Sequence, residues 1–257
     1  MSSEPTMKWK VFFASATGKY HLTSNIPCQD AGHFVVMGDV LIGAVCDGAG
    51  SASQGQAGAD FFAKTVTELI AESVKAKELV PGAQPEYREQ LRALIERARA
   101  RLGEIAASQE LELRDFSCTL VGCISSPEEG CLFHIGDGFA VYLRDTGESV
   151  VSQPENGEYA DQTYFVTDKD WQEHLRVTQF REVNRGGLIG LMSDGASPFA
   201  INRMRTGFYR PFIDPVATFL SSATEQNGNQ ALQKVLEDEK THAITTDDKT
   251  LLLALAS

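Results

Sequence analysis

The chain has 257 residues, with 35 acidic and 23 basic side chains, a formal net charge of −12 and a hydrophobic fraction of 42%. This length and composition predict one soluble globular domain over residues 1–257, in which residues 1–7 are flexible. The acidic balance without a basic patch argues against nucleic-acid binding, and no run approaches the roughly 18 apolar residues of a membrane span.

The cysteines and the N-terminus both indicate a cytoplasmic protein. The first ten residues, MSSEPTMKWK, contain no apolar segment of the kind that a secretory leader needs. The cysteines lack CxxC spacing and lie mostly in apolar runs, so we expect buried, reduced thiols. They are Cys28, Cys46, Cys118, Cys123 and Cys131. No repeat or linker divides the chain, which we expect to act as a monomer.

The first half of the chain predicts short strands followed by two long helices. Residues 8–14, 33–37 and 40–46 are short runs rich in Val, Phe and Ile, separated by breaks that contain Gly, as in an antiparallel sheet. From Gln56 the apolar spacing becomes helical, and it does so again from Leu91 to Ile105. We expect an antiparallel pair of amphipathic helices lying on the sheet.

The second half returns to strands and ends in helices and one buried strand. Strands are predicted at residues 116–125, 130–136, 139–144, 163–167, 188–193 and 250–256. Residues 146–162 are too weakly apolar for the core and predict a long polar loop, of the length that is often functional. Helices are predicted at residues 215–223 and 229–239. Strands and helices in separate blocks indicate an α+β fold.

Acidic residues recur at the ends of predicted strands. The pairs are Asp47-Gly48, Asp137-Gly138, Asp194-Gly195 and, before the last strand, Asp247-Asp248. A single Asp-Gly pair is a common turn, because Gly adopts positive φ freely. Four pairs predict a cluster at one sheet edge, where the carboxylates would repel each other unless a cation lay between them. Oxygen ligands suit Mg²⁺ or Mn²⁺, and no His-rich or Cys-rich set suits zinc.

Seven segments, in chain order, carry a resemblance to a known family. They are HLTSNIPCQDA, VCDGAGSASQGQAGA, FSCTLVG, FHIGDGFAVYL, NGEYADQTYFVT, LMSDGASPF and TDDKTLLLAL. Together they resemble the motifs of the type-2C, metal-dependent protein serine/threonine phosphatases (the PPM family), and more narrowly the bacterial branch with CQDA, DGAGS and GEYAN motifs. The resemblance implies a four-layer αββα sandwich of two antiparallel β-sheets flanked by helix pairs.

The resemblance also implies an activity and a metal site. A water that bridges two Mn²⁺ or Mg²⁺ ions would attack the phosphorus of phosphoserine or phosphothreonine in a protein substrate. Asp47 matches the bridging carboxylate, and the main-chain carbonyl of Gly48 binds one ion. Asp194 and Asp247 match the other two ligand aspartates. Asp137 matches the aspartate that holds a weaker third ion in bacterial members.

Further positions complete the implied site and mark where it departs from the family. Asp30 falls on the acidic residue of the first motif, which acts near the metals or through their waters, so the implied catalytic residues are Asp30, Asp47, Asp194 and Asp247. The usual phosphate-binding arginine is absent, and His21 is the nearest candidate to replace it. The histidine that follows Asp-Gly in many members is Ala49, and the usual Asn after the last ligand is Asp248.

Other interpretations stay open at this point. A non-catalytic module that keeps the fold and binds a phosphoprotein partner would also fit the missing arginine and Ala49. Asp137 could belong to a plain tight turn, and His21 could be an exposed loop histidine. His134 lies within an apolar strand and is expected to be a core histidine. The segment that contains Glu158, Tyr159 and Asp161 is either a flap over the site or a surface loop.

Overall fold

The computed structural model describes residues 7–79, 87–154 and 163–257. Its strands are β1 (Trp9–Ala16), β2 (Asp30–Met37), β3 (Val40–Asp47), β4 (Leu120–Ser125), β5 (Glu129–Ile135), β6 (Phe139–Leu143), β7 (Ser149–Ser152), β8 (Arg176–Arg181), β9 (Leu188–Met192) and β10 (Lys249–Ala256). They form two antiparallel five-stranded sheets with the orders β1-β10-β9-β6-β7 and β2-β3-β4-β5-β8. The α-helices are α1 (Lys19–Ser24), α2 (Gly55–Lys75), α3 (Tyr87–Ser108), α4 (Trp171–His174), α5 (Ser197–Ala200), α6 (Arg210–Ser222), α7 (Glu225–Leu236) and α8 (Glu239–Ile244).

These elements are stacked in four layers. α2 packs across β2 and β3 on the outer face of one sheet, and α3 packs against α2. α7 packs on β1 on the outer face of the other sheet, and α6 packs against α7. Three clusters of buried apolar side chains fill the spaces between the layers, one of them between the two sheets. The arrangement confirms the predicted αββα sandwich with helix pairs outside.

The central strand β3 shows why its sequence is one continuous apolar run. Ile42 and Ala44 belong to the core under the helices, whereas Leu41 and Val45 belong to the core between the sheets. Successive residues of a strand face opposite sides, and here both sides are buried. Full burial of a side chain such as Ile42 stabilises the fold by about 1.5–3 kcal/mol. The strand is therefore firmly held up to its last residue, Asp47.

The segment 146–162, predicted as a loop, contains the edge strand β7. This strand pairs with β6, with Ser149 opposite Leu143 and Ser152 opposite Ala140. An edge strand has one neighbour and is partly exposed, so it can form with few apolar residues. The loop prediction was wrong here because the hydrophobic pattern underestimates such strands.

The strand predicted over residues 163–167 is also wrong. Val166 is fully buried, but its N–H donates to the carbonyl of Cys118 at 2.9 Å in a connection between strands. The apolar residues of this segment therefore reflect burial and not sheet pairing. The strand of this region is β8, whose terminal residues Arg176 and Arg181 are exposed and conceal it in the sequence.

None of the helices in the described parts of the chain combines the length and the apolar character that crossing a membrane requires.

Candidate active site

The acidic strand ends meet at one edge of the sandwich, where a cleft of about 290 Å³ is lined by Asp47, Asp137, Asp247 and Asp248. Asp47 is the last residue of β3 and pairs in register with Asp30, the first residue of β2. Asp194 follows β9 and Asp247 precedes β10, so the second sheet brings its own carboxylates to the same edge. Asp137 lies in the connection between β5 and β6. Both sheets therefore contribute to one site, as the repeated Asp-Gly pattern predicts.

Three of these carboxylates form a compact cluster. Asp47, Asp137 and Asp194 are half-buried, and each offers an oxygen that lies within 4.8 Å of the oxygens offered by the other two. The Oδ1 atoms of Asp137 and Asp194 are buried and accept no hydrogen bond within the described part of the chain. Buried carboxylate oxygens without donors suit a hard divalent cation that prefers oxygen ligands. The donor set thus fits Mg²⁺ or Mn²⁺.

The electrostatics of the cluster agree with that fit. The pKa of Asp194 is raised to about 6, chiefly by burial and then by the negative charges of Asp137 and Asp247. The pKa of Asp47 is also raised well above its usual value. Burial is the largest cause, and the negative charges of Asp30 and Asp194 act in the same direction. Carboxylates so close together favour protonation unless a cation compensates their charge. Metal binding at this cluster would consequently release protons.

Asp30 is buried beside Asp47. Its carboxylate is buried, and its Oδ2 accepts a hydrogen bond of 2.6 Å from the hydroxyl of Ser193. The pKa of Asp30 is raised to about 7. Burial is the largest cause, the Ser193 hydrogen bond acts in the opposite direction, and the charge of Asp248 contributes to the increase. The charge of Asp30 therefore changes near neutral pH, and a neighbouring cation would favour its ionised form.

The glycines after the aspartates have a different role from the one expected. Positive φ is found at other glycines of the described chain, but not at Gly48 or Gly195. Instead, a Cβ atom at Gly195 would collide with the carbonyl oxygen of Asp248, and one at Gly48 would collide with the backbone of Gly55. These glycines are required because the strand ends approach other backbone segments closely, which is how the acidic ends converge.

The structure also gives His21 a defined environment. His21 lines the cleft, and its Nδ1 lies 2.8 Å from Oδ2 of Asp248. Asp247 is exposed on the cleft wall and lies outside the three-carboxylate cluster of the described residues, although its charge acts on Asp194. Ala49 lines the same cleft, so no histidine is present where many relatives of the resembled family have one.

Sequence reasoning missed several polar residues that support the site. Ser193 holds Asp30, and the hydroxyl of Thr163 donates to Oδ2 of Asp137 at 2.7 Å. The hydroxyl of Thr119 accepts the N–H of Asp47 at 3.0 Å. Each lies within one of the seven motif segments, which is the sequence signal that could have identified them. A serine or threonine hydroxyl is common throughout a sequence, so the residue type alone does not distinguish these three positions.

The structure also shows the burial of two other predicted residue sets. His134 is fully buried and its Nδ1 lies 2.6 Å from the hydroxyl of Ser152, which confirms the predicted core histidine. The five cysteines are free thiols, and all except Cys28 are buried. Glu158, Tyr159 and Asp161, for which a flap and a surface loop both stayed open, lie outside the described residues.

Comparisons with known proteins decide the family. The family model described as protein phosphatase 2C matches residues 17–237. Serine/threonine-protein phosphatase 3 of Escherichia coli (strain K12) is 33% identical in an alignment that covers 97% of this chain and 99% of that relative. The chain belongs to the protein phosphatase 2C family. The predicted family and the predicted class, a hydrolase that acts on phosphoesters, are confirmed.

Solved structures show that this phosphatase 2C chain also shares the family fold. Serine/threonine phosphatase Stp1 from Staphylococcus aureus superposes with a TM-score of 0.62 at 17% identity, covering 99% of this chain and 98% of that one. The catalytic domain of serine threonine protein phosphatase PstP, solved with two manganese ions, gives a TM-score of 0.59 at 19% identity, with coverages of 98% and 99%. The predicted fold class is thereby confirmed.

Proposed function

We propose that this chain is a metal-dependent phosphatase that hydrolyses phosphoserine and phosphothreonine in proteins. The observation that carries the proposal is the cluster of Asp47, Asp137 and Asp194, whose carboxylate oxygens lie within 4.8 Å of one another. Membership of the protein phosphatase 2C family and the name of the Escherichia coli relative support the substrate class.

The proposed metal site holds two Mn²⁺ or Mg²⁺ ions. Their ligands are Asp47, the carbonyl of Gly48, Asp194 and Asp247, and Asp137 contributes to a weaker third site. When bound, divalent ions at this place lower the pKa of a coordinated water and polarise the phosphoryl oxygens. The buried Oδ1 atoms of Asp137 and Asp194, which accept no hydrogen bond within the described residues, support the assignment.

The chain's own residues bind and orient the reactants. Asp30 is fixed by Ser193 beside Asp47, which lines the cleft, and acts near the proposed metals or through their waters. His21 contacts the phosphate group in place of an arginine and supplies one hydrogen-bond donor where an arginine would supply two in parallel. Ala49 provides no proton donor, so the leaving alkoxide takes its proton from solvent.

The first test is hydrolysis of a phosphothreonine peptide by protein stripped with a chelator and then supplied with Mn²⁺. We expect turnover that requires Mn²⁺ and falls by more than about 100-fold in Asp47→Asn and in Asp194→Asn. Loss of a residue that hydrogen-bonds to a metal ligand lowers activity by about 10–100-fold, and loss of the ligand itself should lower it at least as much. Asp214→Asn is the matched control, since Asp214 pairs with Arg210 on an exposed helix face.

Two outcomes would contradict this proposal. Undiminished Mn²⁺-dependent turnover in Asp194→Asn would refute the ligand assignment. Mn²⁺ binding measured by calorimetry, without turnover of any phosphopeptide, would instead favour the non-catalytic module that binds a phosphoprotein. The cytoplasmic location, the monomeric state and the absence of nucleic-acid binding stay predictions from composition.

A further inference from the structure

Asp248 collects three hydrogen bonds from one stretch of the chain. Its Oδ1 accepts the N–H of Gly18 at 2.6 Å, and its Oδ2 accepts the N–H of Gln29 at 2.6 Å. The same Oδ2 lies 2.8 Å from Nδ1 of His21. An ionised carboxylate only accepts hydrogen bonds, so Nδ1 is the donor in this contact. One carboxylate thus fixes both ends of the segment 18–29 and the histidine within it.

The contact leaves His21 with one ring nitrogen for a ligand. Its side chain is 12% exposed and that of Asp248 is 5% exposed, so the pair lies in the wall of the cleft. With Nδ1 held by Asp248, Nε2 is the nitrogen that can meet a group entering the cleft. In a protonated ring both nitrogens are donors, which allows the ring to bind a carboxylate on one side and a phosphate oxygen on the other.

The backbone around His21 is fixed to the same part of the protein. The N–H of Tyr20 donates to the carbonyl of Thr246 at 3.1 Å. A Cβ atom at Gly18 would collide with the backbone of Asp247, so the segment that carries His21 lies directly against the segment that carries this proposed metal ligand. The distance between the histidine and the metal site is therefore set by rigid contacts on two sides.

We propose that Asp248 is a positioning residue that orients His21 so that Nε2 binds the phosphate group of the substrate. The proposal rests on the function proposed above and identifies how a histidine replaces the arginine of the resembled family. It also connects two departures from the resembled family, His21 in place of the arginine and Asp248 in place of the asparagine. A carboxylate at position 248, unlike an amide, can only accept a hydrogen bond and so keeps Nδ1 of His21 as the donor.

The experiment is a double-mutant cycle on the full-length, Mn²⁺-loaded protein with a phosphothreonine peptide. The proteins are wild type, His21→Ala, Asp248→Asn and the double variant. We expect each single change to raise KM by about tenfold, the effect of one charge-assisted hydrogen bond, with kcat altered by less than about threefold. In the His21→Ala background, Asp248→Asn should raise KM no further, because Asp248 acts through His21.

Matched controls separate this effect from general damage. Asp238→Asn makes the same chemical change at a carboxylate that accepts a backbone N–H, that of Lys240, outside the cleft. His33→Ala removes a histidine that is hydrogen-bonded to Thr67 away from the cleft. Both should leave KM unchanged. If Asp248→Asn raises KM by the same factor with and without His21, or leaves KM unchanged in both, the proposal is wrong.

A second measurement does not need the Asp248 variant to fold. In Mg²⁺-loaded wild-type protein with ¹⁵N-labelled histidine, inorganic phosphate should shift the His21 Nε2 signal and leave Nδ1 protonated. His21→Ala assigns the signals. A phosphate response at Nδ1, or none at His21, would overturn the proposal.

Failure of the proposed function would be recognised separately. If wild-type protein bound Mn²⁺ but hydrolysed no phosphopeptide, the same four proteins would be compared by their Kd for the phosphothreonine peptide. An effect of Asp248→Asn on Kd that disappears in the His21→Ala background would support the positioning role without catalysis. Equal effects in both backgrounds would refute it.

Discussion

The hydroxyl of Ser193 connects the two sheets inside the site. It donates to Oδ2 of Asp30 at 2.6 Å and accepts the N–H of Thr250 at 3.0 Å. Asp30 begins a strand of one sheet, whereas Thr250 lies in a strand of the other. Because Asp30 is buried, the loss of this donor would remove a hydrogen bond that compensates the burial of a carboxylate.

We therefore expect Ser193→Ala to destabilise the protein by about 1–3 kcal/mol and to lower kcat, since Asp30 loses its fixed orientation. Urea unfolding and peptide hydrolysis would measure the two effects. Ser108→Ala is the control, because Ser108 is exposed and donates only within its own helix. Equal stability of the two variants would show that Ser193 contributes no more than a surface hydroxyl.

At this scale the sequence predicts the acidic residues but not their supporting partners. Asp47, Asp137 and Asp194 stand at strand ends, so local pattern and the resemblance to a family both indicate them. Ser193 and Asp30 lie 163 positions apart, and His21 and Asp248 lie 227 apart. Hydrogen bonds over such separations depend on how the sheets are stacked, which no local pattern contains.

The helix α1 depends on its neighbours for its position. It has six residues and buries none of its side chains, so its own sequence contributes little to its stability. Its position depends on Gly18, whose N–H donates to Asp248 and which has no room for a Cβ atom against Asp247. A side chain at position 18 would push α1, and with it His21, away from Asp247, the proposed metal ligand.

We expect Gly18→Ala to raise KM for a phosphothreonine peptide at least as much as His21→Ala does, about tenfold or more, because both remove the histidine from the phosphate. Gly103→Ala is a matched control, since Gly103 lies in α3 with open space around it. That variant should be stabilised by about 0.5–1 kcal/mol with unchanged KM. An unaltered KM in Gly18→Ala would contradict the role of this contact.

The elements that the sequence predicts well are those with a strong periodic pattern. α2, α3 and the doubly buried strand β3 follow from hydrophobic spacing alone. The edge strands β7 and β8 and the short helix α1 do not, because partly exposed elements need few apolar residues and are held by neighbours. The missed elements matter here, since α1 carries the proposed phosphate ligand.

On the scale of the whole molecule, folding brings like charges together. Asp30 and Asp47 come from one sheet and Asp194 from the other, so the stacked sheets hold these carboxylates close together, and the charges of Asp30 and Asp194 raise the pKa of Asp47. The negative charge of these carboxylates must be compensated by protons or by metal ions. Stability should therefore depend jointly on pH and on divalent metal.

The chelated protein should lose stability as pH rises from about 5.5 to 8. The pKa of Asp30 is raised to about 7 and that of Asp194 to about 6, above the value of about 3.9 for an unfolded chain. A group with a raised pKa in the folded state stabilises the fold while it is protonated, and this contribution is lost as pH rises through the folded-state pKa. We expect a decrease of a few kcal/mol, or about 10 °C in Tm.

Thermal unfolding with a chelator and with Mn²⁺, across this pH range, tests the argument. Mn²⁺ should stabilise the protein most at pH 8, where the carboxylates are charged and bind it without releasing protons. Asp30→Asn replaces a titrating group with a neutral amide, so its chelated form should show a flatter dependence than wild type, while all other titrating groups remain. If the chelated wild-type protein were equally stable at pH 5.5 and 8, or if Asp30→Asn followed the same curve, the carboxylates would not be coupled to folding in this way.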